Sequence, residues 1–152
     1  SRINAAFPQR AIHLFDTFEG FPETDAALER ERKLSRAAAG DFSDTDMELV
    51  LSRMPRPELV RFHKGRFPET FEPAKNETFA FVSIDADLYA PTAAALPLFW
   101  ERLSPGGAMM IHDYNSTQFS GVRMAVQEFC EASGVHVLPV CDLHGSAVLM
   151  KP

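Results

Sequence analysis

The chain has 152 residues, 45% hydrophobic and 24% charged, which are ordinary values for one globular domain with a real core. Its net charge of -6, with Lys and Arg scattered, argues against nucleic acid or an anionic membrane as partner and fits a site that holds a cation. No apolar run approaches the roughly 20 residues needed to cross a bilayer and no signal-peptide pattern opens the chain, while Cys130 and Cys141 fit no metal spacing, so a cytoplasmic protein with reduced thiols is expected.

Residues 1–10 read as the tail of a helix and a loop, and residues 11–15 (AIHLF) as a short strand ending in Asp16. An acidic residue at the tip of an early strand is where nucleotide-binding α/β folds hold ribose hydroxyls, because one carboxylate can accept two hydrogen bonds. Thr17 to Pro22 form a turn. Residues 23–39 are helical by propensity, with Gly40 as the stop and the charge run Glu29 to Lys33 as a solvated face. Thr45 and Glu48 have capping-box spacing and predict a second short helix to about Met54, ended by Pro55 and Pro57. Residues 59–62 follow as a strand, and His63 to Pro68 as its loop. There Gly65 could let backbone approach a flat ring and Phe67 could stack on one, although without context a turn glycine and a core phenylalanine are the readings to prefer.

The stretch Phe79 to Pro91 (FAFVSIDADLYAP) opens with a nearly continuous apolar run, which predicts a strand buried on both faces. Asp85 and Asp87 follow at its carboxyl end, where open α/β sheets bind ligands, although an isolated Asp-x-Asp is more often the cap of the next helix. That helix is expected over residues 92–103, with Pro91 in its first turn and Pro97 kinking or splitting it. Residues 104–107 (SPGG) predict a tight turn into a buried strand, 108–111, that ends in His112-Asp113-Tyr114-Asn115. A helix over 121–132 stops at Gly134, with Val122, Ala125, Val126 and Phe129 on one face. Residues 135–140 and 147–150 read as closing antiparallel strands joined by residues 141–146. Alternating strands and helices call for a single α/β domain over 1–152, its sheet mostly parallel with an antiparallel C-terminal strand and helices on both faces.

Two successive strands thus end in carboxylates, Asp85 with Asp87 and then Asp113. If they are neighbours, their ends lie about 5 Å apart and one cation can bridge both loops. Such a set suits magnesium, which can exchange a water for a substrate hydroxyl; the hydroxyl then ionises more easily and a spare carboxylate can take its proton.

These residues carry a resemblance. The motifs Phe15 to Pro22, Phe62 to Phe67, Asp85 to Thr92, and Pro105-Gly106-Gly107 through His112-Asp113-Tyr114-Asn115 closely resemble the macrocin O-methyltransferase family over nearly all the chain. The resemblance implies a Rossmann-like methyltransferase sheet and methylation of a hydroxyl on a sugar or glycosylated natural product. It also implies S-adenosylmethionine as cosubstrate and Mg2+ or another divalent ion as cofactor. By the same resemblance Asp16 holds the ribose of S-adenosylmethionine, and Gly65 and Phe67 border its adenine. Asp85 and Asp113 are metal ligands, and Asp87 is the third ligand or the general base. Tyr89 and Tyr114 are assigned to packing or substrate contact, since a phenol ionises near pH 10.

Two departures stand out. The family usually has Asp where this chain has His112, and imidazole suits zinc, nickel or iron better than magnesium, so His112 lies behind the ligands or the metal preference has shifted. The other histidines, His13, His63, His136 and His144, read as structural or exposed. Such methyltransferases also begin with a strand and glycine-rich loop, whereas residues 1–10 hold no glycine. Either the chain is a fragment lacking that strand, or residues 11–15 pair directly with 79–84; in both cases weak or no activity is expected of these residues alone. Two other readings remain open: a nucleotide-sugar glycosyltransferase that holds manganese and a diphosphate on Asp85-x-Asp87, and a non-catalytic binding domain. A homo-oligomer is also left open.

Overall fold

The structure, a computed structural model, describes residues 2–143 and 145–152; Ser1 and His144 lie outside the described residues. Two compact units are formed, one from Ser1–Pro22 and Ala39–Lys75, the other from Glu23–Ala38 and Asn76–Pro152.

The first unit is built on two parallel strands, β1 (Ile12–Asp16) and β2 (Val60–Lys64), registered so that Ile12 pairs with Val60 and Asp16 with Lys64. Helix α1 (Arg2–Ala6) is anchored by the buried Asn4, whose amide donates to the Arg56 carbonyl at 3.1 Å and whose Oδ1 accepts the Arg56 N–H at 2.6 Å. Helix α3 (Met47–Ser52) begins one residue later than its capping-box spacing predicts. Asp46, not Thr45, is the N-cap, its Oδ1 accepting the Leu49 N–H at 2.7 Å. A 3-10 helix over Glu69–Ala74, with Phe71 and Ala74 buried, follows the β2 loop.

The second unit holds a four-stranded sheet in the order β3 (Phe79–Ile84), β4 (Leu103–Ile111), β6 (Ala147–Met150), β5 (Leu138–Pro139). Strands β3 and β4 are parallel, and β6 runs antiparallel to both β4 and β5. Parallel pairs joined by helices, with one reversed strand near the C terminus, match the expectation. Strand β1 pairs with β2 in the first unit and β3 with β4 in the second. Strand β3 is not buried on both faces. Val82 and Ile84 are buried while Phe81 and Ser83 are exposed, the alternation of a strand with one covered face.

Helix α4 (Tyr89–Arg102) packs on β3 and β4, buries Thr92, Ala95, Leu96 and Phe99, and runs unbroken through Pro97. Helix α5 (Ser120–Ser133) packs on α4 with Val122, Ala125 and Val126 buried, and ends on the left-handed Gly134 as its sequence predicts. The SPGG stretch is not a separate turn. Its residues stay within β4 as an irregularity, five steps of β4 (Leu103 to Ala108) facing two of β3 (Phe79 to Phe81).

Helix α2 (Glu23–Glu31) stops well short of Gly40. Lys33 adopts φ +57°, and the Leu34 N–H reaches the Glu29 carbonyl at 2.9 Å while that of Lys33 reaches Arg30 at 3.2 Å, a Schellman-type ending made without glycine. The chain then turns so that the Leu34 carbonyl accepts from both the N–H and the Oγ of Ser120. Glu29, expected on a solvated face, is only 1% exposed.

Candidate active site

The strand register creates the site in the second unit. Ile84 pairs with Ile111, and the His112 N–H donates to the Ile84 carbonyl at 2.9 Å, so the residues just beyond both strands emerge side by side. One ligand atom from each of Asp85, His112 and Asp113 falls within 4.8 Å of the others. His112 Nδ1 lies 3.0 Å from Asp85 Oδ1 and 2.7 Å from Asp113 Oδ2, bridging the two carboxylates. Asp85 is exposed, whereas His112 and Asp113 are half-buried.

Asp87 adjoins this group and shares a hydrogen bond with Asp113. Burial, that hydrogen bond, and the negative charges of Asp85 and Asp113 push its carboxyl up to about 7, with His112 opposing. Burial also works against the charged form of His112, but the hydrogen bond to Asp113 and the charges of Asp85, Asp113 and Asp87 outweigh it and raise its pKa.

Backbone strain marks the same residues. Asp87 has φ +59° and Asp113 φ +55°, the left-handed region that non-glycine residues enter at a cost and that Asp tolerates better than most. Around Asp87 the Leu88 N–H folds back onto the Ala86 carbonyl at 2.5 Å, closing a three-residue turn between β3 and α4. Strain of this kind persists only where surrounding contacts over-determine it, and it concentrates at functional sites.

The donor set suits a divalent cation. Carboxylate oxygens of Asp85 and Asp113 are hard ligands, and the imidazole between them adds a nitrogen that broadens the choice beyond magnesium. Tyr114 is buried, and Arg123 donates from Nε to its carbonyl at 3.1 Å. Tyr89 is half-buried and donates its hydroxyl to Glu128 at 2.7 Å.

In the first unit the expected cosubstrate residues gather at the carboxyl ends of β1 and β2. The Gly65 N–H donates to the Asp16 carbonyl at 2.9 Å, and the exposed Asp16 accepts the Phe18 N–H on Oδ1 at 2.7 Å. Gly65 has φ +134°. The ring of Phe67 meets Phe15 and Phe71 edge-on, at centroid distances of 5.7 and 5.9 Å. His13 and His63 are stacked and joined at 2.9 Å, and burial together with the charge of His13 lowers the pKa of His63, in line with a structural role. His136 is exposed.

The architecture is that of the Rossmann-like O-methyltransferases. It matches the structure of the O-methyltransferase NovP with a TM-score of 0.77 at 20% identity, covering 98% of this chain and 65% of that one. It matches the calicheamicin methyltransferase CalS11 at 0.73 and 19%, covering 97% and 65%. Residues 3–151 match the macrocin-O-methyltransferase (TylF) family, and the chain belongs to it. A tetracenomycin rhamnosyl 4'-O-methyltransferase from Streptomyces olivaceus is 32% identical over 93% of this chain and 55% of its own length. Mycinamicin III 3''-O-methyltransferase from Micromonospora griseorubida is 31% identical over 83% and 51%. The chain thus spans about half the length of these curated relatives.

Proposed function

We propose that the chain carries the acid–base and cation-binding half of an S-adenosylmethionine-dependent O-methyltransferase acting on a hydroxyl of a sugar or glycoside. The observation that supports it most is the convergence of Asp85, His112 and Asp113 within 4.8 Å, with Asp87 against them, in a member of this family. The relatives bear names of enzymes that methylate a rhamnosyl group and a mycinamicin. A cytoplasmic location accords with the free Cys130 and Cys141, and no helix among the described residues is long and apolar enough to cross a membrane.

In this reading Asp85 and Asp113 hold Mg2+ or a related cation, and His112 completes the set or orients Asp113 from behind. The cation supplies positive charge that makes a substrate hydroxyl more acidic. Asp87 then either takes the hydroxyl proton or serves as a further ligand. Without a cation, burial, the hydrogen bond to Asp113 and the neighbouring negative charges raise the Asp87 carboxyl to about 7, so it can take up a proton near neutral pH; a bound cation would lower that value. Asp16 accepts ribose hydroxyls, while Gly65 and Phe67 flank the adenine.

The reading is tested in the full-length protein by methyl transfer from S-adenosylmethionine to a panel of deoxysugar glycosides with Mg2+ or Mn2+. Asp87→Asn and Asp113→Asn are each expected to lower kcat at least 100-fold. Methylation untouched by Asp113→Asn, or no turnover by the wild type with saturating cosubstrate and cation, rejects it; the latter favours a non-catalytic binding domain.

A further inference from the structure

The turn that carries Asp87 is strained, so something must hold it. Leu88 is the N-cap of α4 and offers no side-chain hydrogen bond to the helix. The first backbone donor of α4 is met from another helix instead. Glu29 of α2 accepts the Tyr89 N–H on Oε1 at 2.6 Å, two residues beyond Asp87. A carboxylate at a helix N-terminus satisfies an orphan donor and meets the positive end of the helix dipole.

The seat for this carboxylate is shaped by the start of α5. A Cβ on Gly121 would lie 2.9 Å from Glu29 Oε1, 2.8 Å from Tyr89 Cβ and 3.1 Å from Tyr89 N. Only glycine lets α5 close over the contact. Glu29 is 1% exposed, and its Oε2 has no hydrogen-bond partner among the described residues. Burying a carboxylate this way is costly and gains only one hydrogen bond, which core packing alone does not require. Tyr89 is gripped at two further points. The Arg32 guanidinium sits 4.8 Å from its ring centroid, and its hydroxyl donates to Glu128 of α5 at 2.7 Å.

We propose that Glu29 is a positioning residue for the candidate active site: by fixing Tyr89 at the head of α4 it holds the Asp85–Asp87 turn in its strained, ligand-presenting form. This rests on the reading of Asp85, Asp87 and Asp113 as the cation and proton site. Glu29 touches none of them and acts through the backbone of Tyr89. Its neighbours Arg32 and Glu128 steady the same residue from the ring side.

The test compares wild type, Glu29→Ala, Glu29→Gln and Glu29→Asp by two readouts well below their melting temperatures. Mn2+ affinity, from the electron paramagnetic resonance signal of free Mn2+, is expected to fall about tenfold in Glu29→Ala, the range seen when a residue supporting a metal ligand is lost. Glu29→Gln, which keeps an acceptor for the Tyr89 N–H, should recover to within about threefold of wild type. Glu29→Asp withdraws the acceptor by about 1.5 Å, one C–C bond, and serves as the perturbed variant should the alanine variant not fold. The second readout is the 15N amide shift of Asp87 and Leu88, which needs no metal. It should move in the alanine and aspartate variants and return in the glutamine variant. Lowered thermal stability with unmoved Asp87 and Leu88 amides, or with wild-type Mn2+ affinity, overturns the proposal and leaves Glu29 a packing residue. Amides that shift as expected in a protein whose wild type binds no Mn2+ uphold the positioning role and sink the cation-site reading instead.

Discussion

Nδ1 of His112 lies 2.7 Å from Oδ2 of Asp113, placing an imidazole and a carboxylate in contact at the end of β4. Contacts with Asp113 and Asp85 raise the His112 pKa against the opposing effect of burial. A histidine raised on folding stabilises the fold fully below its unfolded pKa of about 6.5, and that stabilisation is lost as pH climbs through the folded value. His112→Ala is therefore expected to cost the metal-free chain up to about 1 kcal/mol at pH 6 and much less at pH 9. Urea unfolding in EDTA at both pH values checks this. A cost that does not change with pH removes the ion pairing from the account.

Asp87 shares that pH slope, but through a penalty on its charged form rather than a favourable pairing. Its carboxyl rises from 3.8 in the unfolded chain to about 7 in the fold, so folding takes up a proton between those values and stability falls as pH rises through that window. Asp87→Asn removes the penalty. With metal absent the variant should match wild type near pH 4, gain on it steadily to pH 7, and stay about 1–2 kcal/mol more stable above, a figure reduced for solvent screening because Asp87 is partly exposed. Denaturation midpoints across pH 4 to 8 decide it. A variant less stable than wild type at pH 8 contradicts the crowding of charge around Asp87.

How far the chain could be read from its residues varies from element to element. The β3–β4 pair was legible because apolar runs that end in polar residues have few other uses, and that pairing alone brings Asp85 to Asp113. The Schellman ending at Lys33 was hidden, since no glycine marks it and the later Gly40 is the stronger local signal. Glu29 was hidden more deeply. In sequence it is one charge within the run Glu29 to Lys33, and only the meeting of α2, α4 and α5 buries it. The left-handed backbone of Asp87 and Asp113 is likewise a tertiary outcome, although Asp is among the residues that tolerate it. His112 was visible as a departure, but not that one nitrogen would bridge both carboxylates.

Cation binding and proton release should be coupled. Both His112 and Asp87 have raised pKa values beside the same carboxylates, so a bound cation competes with their protons. Mn2+ affinity is expected to climb between pH 6 and pH 8, with proton release seen by calorimetry in buffers of different ionisation enthalpy. Saturation at 100 times Kd should add about 2.7 kcal/mol to unfolding stability. Asp113→Asn should abolish that gain, and the more exposed Asp85→Asn should reduce it. A pH-independent affinity refutes the coupling.

In the other unit, Gly65 is held by both conformation and space. At φ +134° an L side chain is strained, and an added Cβ would lie 2.9 Å from Thr70 Cγ2. Gly40, at φ +79°, has nothing within 4 Å of the same position. Gly40→Ala should therefore cost about 1 kcal/mol, from backbone strain alone, and Gly65→Ala about 2–3 kcal/mol. The excess combines the clash with a φ much further from the left-handed well than that of Gly40, so Thr70→Ser, which removes the Cγ2 methyl, should return the clash part in the Gly65→Ala background while leaving the strain. Unfolding free energies of the four chains form a double-mutant cycle. Additive costs would mean that Thr70 yields without penalty and that backbone conformation alone keeps residue 65 a glycine beside Asp16.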